Sequence, residues 1–223
     1  MTTATIDGTV ELRKAYLTAV LGGDRREAFR LVDQACEAGT ELSRLYLEVF
    51  QPAMREIGRL WQENAITVAD EHVATAITQA AMTRAFGQLF AWGEGTGRTL
   101  VAACADTERH EVGLRMICDL LELRGWDTVY LGASVPLESL LSMIERKRPD
   151  AVALSATIAP HLPRLRAMIE AIRETIPEPP LILVGGRPFL ENPTLATRLG
   201  ADLTAEDAVQ AVELLQQKFS TPR

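Results

Sequence analysis

The sequence lacks the features that direct a chain to a membrane or to nucleic acid. It contains no basic run, and its net charge of −7 argues against direct binding of DNA or RNA. No apolar stretch is long enough to span a bilayer, and the N-terminal residues do not show the basic region and apolar core of a secretory signal. We therefore expect a cytoplasmic location without membrane contact.

Cysteine is also scarce. The three cysteines, Cys36, Cys104 and Cys118, do not have the spacing of a metal site or of a disulfide framework, so we expect buried free thiols. Apolar residues are abundant: hydrophobic residues make up 47% of the sequence, which predicts a globular chain. A length of 223 residues leaves room for two small domains.

The N-terminal part, residues 1–95, is predicted to be a four-helix bundle. Apolar residues recur at helical spacing in four segments joined by short connections, as in an antiparallel bundle. Asp24 and Thr67 are expected to cap the second and fourth segments, and Pro52 predicts a kink or a break inside the third. The four segments are 10–21, 24–38, 40–61 and 67–92.

The C-terminal part, residues 98–223, alternates between short apolar runs and helical patterns after a linker at 94–97. This alternation predicts a doubly wound, Rossmann-like sheet of five parallel strands. Strands are expected at 99–105, 127–131, 150–155, 181–184 and 202–204. Helices are expected near 111–124, 137–147, 162–175, 192–199 and 205–218.

His110 is the central candidate for a binding residue. It follows the first predicted strand, at the strand end where open α/β sheets bind their ligands. Glu108, two residues earlier, is close enough to hold one ring nitrogen, as metal-binding histidines require. Gly113 would let a bulky planar group approach the backbone. For a lone histidine the alternative is a solvent-facing loop residue.

Further elements are expected at the same edge of the sheet. Ser155 and Thr157 end the third predicted strand, and Gly185 and Gly186 end the fourth, so the parallel topology would place them beside His110. His161 follows the third strand as well. It could contact a ligand at this edge, or it could be a surface loop residue.

These elements together resemble the cobalamin-binding module, whose signature is an acidic residue-x-His-x-x-Gly, then Ser-x-Leu, then Gly-Gly. The resemblance implies that His110 is the lower cobalt ligand in place of the cofactor's own dimethylbenzimidazole. It also implies that the nucleotide tail lies beside the Ser155 and Gly185-Gly186 elements. Two positions depart from the usual pattern: Glu108 replaces Asp, as in the light-sensing branch of the family, and Thr157 replaces Leu.

A second motif lies in the helical part. Trp61 ends the third helix, and Glu71-His72 begins the fourth, with nine residues between Trp61 and Glu71. Taken alone these could be a core tryptophan and a charged first helical turn. With a cobalamin module they resemble the CarH-type light sensors, where Trp-x9-Glu-His covers the upper face of adenosylcobalamin. Those repressors have a histidine after the Trp, and this chain has Gln62, a weaker donor for cobalt.

The resemblance implies a photoreceptor module without the DNA-binding domain of the CarH-type regulators, since nothing in this sequence could form a winged helix-turn-helix. Some light-sensing relatives pair cobalamin with a bilin such as biliverdin, and a photocobilin-like variant of that kind would suit Gln62. The module would be a sensor without turnover that signals through a homo-oligomer or a partner protein. The alternative is a corrinoid methyl-carrier protein of a methyltransferase system, and a detached mutase subunit fits less well.

Overall fold

The computed structural model describes residues 3–91 and 95–220. The described residues divide, after Ala91, into two compact units. Trp92, the predicted end of the fourth helix, and Glu94, the predicted start of the linker, lie outside the described residues.

Every secondary-structure element described in the first unit is a helix. Two of its helices begin at the predicted caps: the Asp24 carboxylate accepts the Glu27 N–H at 3.0 Å, and Thr67 forms a capping box with Asp70. Its elements are α1 (Thr3–Leu21), α2 (Arg25–Glu37), α3 (Leu42–Arg44), a π-helical segment (Leu45–Phe50), α4 (Gln51–Gln62) and α5 (Val68–Leu89).

The structure has a π-helical segment just before Pro52, the residue at which the sequence predicts a kink or a break. The third helix is not broken: α3, the π-helical segment and α4 follow one another without a gap. The Gln51 N–H bonds to the Tyr46 carbonyl five residues earlier, which is the π-helical pattern. Pro52 has no N–H and its ring would clash with a carbonyl of the preceding α-helical turn, so a wider turn before it is a favourable solution.

Aromatic side chains fill the centre of this unit. The rings of Tyr16 and Phe50 are 4.9 Å apart, Tyr46 packs on Phe50, and all three side chains are fully buried. The Tyr16 hydroxyl donates to Thr78 Oγ1 at 3.1 Å, which satisfies the polar end of a buried ring. Each of α1, α2, α4 and α5 packs against at least two of the others, so the helical N-terminal part is confirmed.

The second unit contains a five-stranded, all-parallel sheet in the order β2-β1-β3-β4-β5. Every predicted strand is present with ends within one residue of expectation, and the Rossmann-like fold class is confirmed. The strands are β1 (Thr99–Cys104), β2 (Asp127–Gly132), β3 (Ala151–Ser155), β4 (Leu181–Gly185) and β5 (Leu203–Thr204). The helices are α6 (Val112–Glu122), α7 (Leu137–Lys147), α8 (Leu162–Thr175), α9 (Arg187–Glu191), α10 (Thr194–Arg198) and α11 (Ala208–Lys218).

The central strands are buried on both faces. Alternate residues such as Val101, Val152 and Ile182 belong to one core cluster with Leu140 of α7 and Leu165 of α8. The opposite face is covered by α6, which contacts the strands and α11. Uninterrupted apolar runs over 100–104 in β1 and 151–154 in β3 are the consequence, because neither face of a doubly wound sheet meets water.

The helix predicted near 192–199 is present as α10, which begins two residues later and ends one residue earlier than expected. α9 was not predicted; Asn192 and Pro193 separate it from α10. The backbone of Gly186 at φ +115° turns the chain directly from β4 into α9, and Pro188 sits in the first turn, a position where its missing N–H costs nothing. No helix in the described part of the chain is long and apolar enough to cross a membrane.

The three cysteines are free and buried, as predicted. Burial raises the pKa of Cys104 to about 12, so this thiol stays protonated at neutral pH.

Candidate functional site

The strand order reverses between β1 and β3, and the carboxyl ends of these two strands form the candidate site. Ligands in open α/β sheets bind at such a switch point. After β1 the chain turns sharply: the Glu108 N–H bonds to the Ala105 carbonyl at 2.8 Å, and Thr107 adopts φ +72°. A threonine in the left-handed region is uncommon and is retained where the surrounding structure requires it. This turn directs Glu108 inward.

Glu108 is fully buried, and four N–H groups surround its carboxylate. Oε1 accepts the backbone N–H of His110 at 2.9 Å and lies 2.5 Å from Nδ1 of the His110 ring. Oε2 accepts the backbone N–H of Thr157 at 2.6 Å and lies 2.9 Å from Nδ1 of His161. Burial by itself raises the pKa of Glu108, but these hydrogen bonds outweigh it and hold the pKa well below its usual value. The carboxylate is therefore ionised at neutral pH.

The ionised carboxylate determines where the histidine protons lie. A carboxylate only accepts hydrogen bonds, so Nδ1 of His110 and Nδ1 of His161 must both be donors. A neutral His110 ring then has its lone pair on Nε2, and a metal ligated by this ring would be bound there. The His110 side chain is 51% exposed, while its partner Glu108 is 0% exposed. The contact expected from their two-residue spacing is present.

His161 contacts another residue of the site, Glu108, which neither of the two expectations for it included. Its side chain is only 15% exposed and contacts Glu108, so the alternative of a surface loop residue is wrong. It lies in a short 3-10 turn (Ala159–His161) at the start of α8, and Pro160 shapes that turn. The sequence could not reveal the contact because its partner is 53 residues away. Contact of His161 with a ligand stays a prediction.

Ser155, Gly185 and Gly186 gather at this edge, as the parallel topology predicted. Ser155 is opposite Gly185 in the β3–β4 register, and Ser155 is buried. A Cβ added to Gly185 would meet nothing within 4 Å, whereas one added to Gly186 would lie 2.0 Å from the Ala156 carbonyl oxygen. Gly185 thus borders open space, and Gly186 is required by the fold. Gly113 also borders open space.

Some contacts around the site were not foreseen. The Ser134 N–H, after β2, donates to the Glu108 carbonyl at 2.8 Å, and the Tyr130 hydroxyl donates to Glu111 at 2.9 Å. Burial, followed by this hydrogen bond, raises the pKa of Tyr130. These residues support the His110 loop from the neighbouring strand, and no local sequence signal connects positions so far apart.

The second motif lies at one end of the helical unit. Trp61 is 42% exposed at the end of α4, the chain reverses through Asn64 at φ +57°, and α5 follows. Glu71 Oε2 lies 2.5 Å from Nδ1 of His72, and Glu71 Oε1 accepts the Thr75 hydroxyl at 2.8 Å. The alternative of a core tryptophan is wrong for Trp61. Gln62 is exposed as well, and so are Val68 and Val73 of α5.

The residues fit a metal that arrives with ligands of its own. Within residues 3–91 and 95–220, no group of three or more His, Cys, Asp or Glu side chains could hold a bare ion. A macrocycle that supplies the equatorial ligands needs one axial donor from the protein, and the half-exposed His110 ring beside buried Glu108 offers it. The open space at Gly113 and Gly185 suits a bulky organic group.

Comparison with known families agrees with this site. The B12 binding domain family matches residues 98–213, and a second family, also described as a B12 binding domain, matches residues 12–85. The chain belongs to the B12-binding domain family, and its cofactor is a cobalamin.

Individual relatives fall into two groups. The transcriptional repressor CarH of Myxococcus xanthus is 28% identical over 187 residues, which are 84% of this chain and 61% of CarH. The chain thus spans about three fifths of that relative. Dimethylamine corrinoid protein 1 of Methanosarcina acetivorans is 25% identical over 71% of this chain and 75% of its own length. The structure of the monomethylamine corrinoid protein of Methanosarcina barkeri shares the fold, with a TM-score of 0.78, 16% identity and coverage of 94% of this chain and 99% of that one.

Proposed function

We propose that this protein is a cobalamin-based light sensor in which His110 ligates cobalt from the lower face. The observation that carries the cofactor assignment is the half-exposed His110 ring held through Nδ1 by the buried, ionised Glu108. Bound adenosylcobalamin would supply a cobalt–carbon bond that visible light can break. The protein would orient the cofactor and convert the chemical change into a structural one.

Each residue at the sheet edge has a role on the lower face. Glu108 fixes the plane and the tautomer of the His110 ring, so the ring needs little reordering when it binds a metal. Ser155 and Gly185 flank the open space proposed for the nucleotide tail, and Gly113 leaves room beside the ring. Thr157 acts through its backbone N–H, and Gly186 allows the β4 end to approach β3 closely.

The helical unit supplies the second part of the proposal. An exposed tryptophan is costly in water, and Trp61 has exposed Val68 and Val73 close by in the sequence. Such an apolar end is well suited to contact the upper ligand of the cofactor. The resemblance to the CarH-type sensors assigns this contact to Trp61, Gln62, Glu71 and His72. Glu71 holds the His72 ring much as Glu108 holds His110.

The output proposed is a change of conformation or of assembly, without catalytic turnover. The signal would pass to a second copy of the chain or to a partner protein, since a net charge of −7 does not favour direct binding of nucleic acid. A bilin as a second chromophore remains part of the proposal, because Gln62 leaves the upper position without an imidazole.

A corrinoid methyl carrier is the second candidate. What favours it is the similarity to methylamine corrinoid proteins, including 23% identity to trimethylamine corrinoid protein 1 of Methanosarcina acetivorans over 87% of this chain and 90% of that protein. A carrier must expose the cobalt to a methyltransferase. Its affinity for methylcobalamin would therefore equal or exceed its affinity for adenosylcobalamin.

Absorption spectroscopy of the purified protein tests the proposal. The protein should bind adenosylcobalamin more tightly than methylcobalamin, and green light should change the spectrum and the hydrodynamic radius of the adenosylcobalamin complex. Equal affinities with no change in radius after illumination would favour the methyl carrier.

Replacement of His110 tests the lower ligand. His110→Ala should weaken cobalamin binding by 10-fold or more, on the order expected for loss of a metal ligand or its close partner, or leave the dimethylbenzimidazole on cobalt. Arg109→Ala is the matched control, since Arg109 is an exposed neighbour on the same loop. An unchanged spectrum and affinity in His110→Ala would show that the histidine is not the ligand.

A further inference from the structure

The short segment that carries His110 is bonded at both of its ends to the carboxyl end of β2. At the start of the segment, the Glu108 carbonyl accepts the Ser134 N–H at 2.8 Å. At its end, Glu111 Oε2 accepts the Tyr130 hydroxyl at 2.9 Å. His110 lies between these two contacts, so the neighbouring strand restricts the movement of the histidine along the sheet edge.

The backbone of β2 is irregular where it meets Glu111. The pairing of β1 with β2 shifts by one residue between Tyr130 and Gly132, which leaves Leu131 as the extra residue of a β-bulge. Gly132 has φ +78°, and a Cβ there would lie 2.8 Å from Glu111 Oε2. Bulges beside binding sites commonly re-aim a side chain. Here the bulge and the glycine together allow the contact between Tyr130 and Glu111.

We propose that Tyr130 is a positioning residue for the lower cobalt ligand: through Glu111 it holds the His110 segment in the conformation that binds cobalt. The inference rests on the proposed ligation of cobalt by His110. Neither Tyr130 nor Glu111 needs to contact the cofactor for this effect.

The argument follows from the competition between two lower ligands. Dimethylbenzimidazole is part of the cofactor, so it reaches cobalt without any loss of translational freedom. A protein histidine replaces it only if fixing the position of that histidine costs little free energy at the moment of binding. The contact between Tyr130 and Glu111 is made by protein groups alone, so the entropy of ordering the segment is lost on folding and not on binding.

Tyr130 acts on the position of the His110 ring and not on its electronic character. Glu108 accepts the backbone N–H and the Nδ1–H of His110, and neither of these bonds involves β2. Loss of the Tyr130 hydroxyl should therefore leave the tautomer and the donor strength of His110 unchanged. What increases is the freedom of the backbone between His110 and Val112, where α6 begins.

The experiment compares two residues of β2 that each donate a hydroxyl to a glutamate. Tyr130→Phe removes the hydroxyl that bonds to Glu111, just before α6. Thr128→Val is the matched control, because Thr128 is on the same face of β2 and its hydroxyl donates to Glu122 at the opposite end of α6. The readouts are amide hydrogen exchange over residues 109–112 in the cofactor-free protein, and the dissociation constant of adenosylcobalamin in the dark.

We expect Tyr130→Phe to speed hydrogen exchange over residues 109–112 and to weaken adenosylcobalamin binding about tenfold, the lower end of the effect of residues that orient metal ligands. Glu111→Gln keeps an oxygen that can accept the Tyr130 hydroxyl, so it should retain most of the affinity. Glu111→Leu should match Tyr130→Phe, and Thr128→Val should change neither readout. In the Co(II) electron paramagnetic resonance spectrum, the nitrogen coupling of bound Tyr130→Phe should keep its wild-type size.

A double-mutant cycle with His110 separates positioning from general destabilisation. In a His110→Ala background the proposed ligand is absent, so adding Tyr130→Phe should weaken binding by less than about twofold.

Two results would overturn the proposal. One is wild-type affinity or wild-type hydrogen exchange in Tyr130→Phe. The other is an equal loss of affinity from Tyr130→Phe with and without His110, which would assign Tyr130 a packing role only. Failure of the underlying ligation would look different, because His110→Ala alone would then keep the affinity and the spectrum of the wild type.

Discussion

Gly185 and Gly186 are adjacent, yet the structure gives them opposite roles. Gly186 has φ +115°, and a Cβ there would lie 2.0 Å from a backbone oxygen that has no freedom to move away. Gly185 belongs to β4, and a Cβ there would meet only open space. One glycine is needed by the fold, and the other borders the proposed position of the cofactor tail.

This difference predicts opposite phenotypes for two alanine substitutions. Gly186→Ala should lower the free energy of unfolding by roughly 3 kcal/mol or more, through strain at positive φ and a backbone clash. Gly185→Ala should leave stability nearly unchanged and weaken cobalamin binding. Urea denaturation and a binding titration on both variants check this. A stable Gly186→Ala, or a Gly185→Ala with full affinity, would contradict it.

Residue-scale prediction from the sequence succeeded where partners are close along the chain. Glu108 and His110 are two residues apart, so their contact follows from local geometry, and Asp24 with Glu27 is similar. His161 shows the limit. Its partner belongs to a loop that only the sheet brings close, and a loop histidine after a proline looks solvent-exposed when tertiary contacts are unknown.

At the scale of the element, the start of α5 carries a pH-dependent contribution to stability. Thr67 and Asp70 bond reciprocally: the Asp70 N–H donates to Thr67 Oγ1 at 3.2 Å, and the Asp70 carboxylate accepts the Thr67 N–H at 2.8 Å. The hydrogen bonds from the Thr67 hydroxyl and then from its backbone lower the pKa of Asp70. A lowered pKa in the folded state stabilises the fold above the usual pKa of the carboxyl.

The predicted consequence is a cap that weakens in acid. Asp70→Asn should be less stable than the wild type at neutral pH, and the difference should shrink as the pH falls from about 4 through the lowered pKa. Thr67→Ala, which removes the other half of the cap, should cost about 1 kcal/mol. Urea midpoints measured over a pH series check both. A difference that persists into strong acid would contradict the assignment.

Elements were predictable where the pattern was long or strongly apolar. β1 and β3 are buried on both faces, so their apolar runs marked them within one residue. α9 has five residues, which is too short for a periodic signal, and its start depends on the backbone of Gly186. The π-helical segment could not be predicted from the sequence either. Pro52 indicates that the helix is disturbed there, but it does not indicate whether the helix breaks or widens.

At the scale of the whole molecule, Gln62 should determine which upper ligand cobalt has after illumination of the cobalamin complex. An amide is a weak donor for cobalt compared with imidazole. After illumination the wild-type complex should therefore have the spectrum of a cobalamin with one protein histidine, and Gln62→His should convert it to the two-histidine type with slower exchange of the upper ligand. Absorption spectra report the ligands, and the rate at which the spectrum changes after addition of a competing ligand reports the exchange. Two histidines on cobalt in the illuminated wild type would disprove this.

The architecture as a whole follows from a change in the spacing of apolar residues along the chain. Apolar spacing is helical up to α5 and becomes a series of short apolar runs from β1 onward, which is why the fold class was predictable. The orientation of the two units relative to the cofactor depends on tertiary contacts, and no sequence pattern encodes it. The upper-face roles of Trp61, Glu71 and His72 therefore stay predictions.

The complete set of hydrogen bonds around Glu108 has a consequence for the kinetics of cofactor uptake. In the described part of the chain, Thr204 Oγ1 is the one buried side-chain polar atom without a partner, and it lies away from His110 on β5. The loops that carry His110 and Thr157 are thus held on Glu108 by the protein's own contacts and do not need the cofactor to order them. Any plateau in the rate of cobalamin association should then come from the exchange of dimethylbenzimidazole for His110, and not from a preceding folding step of the protein.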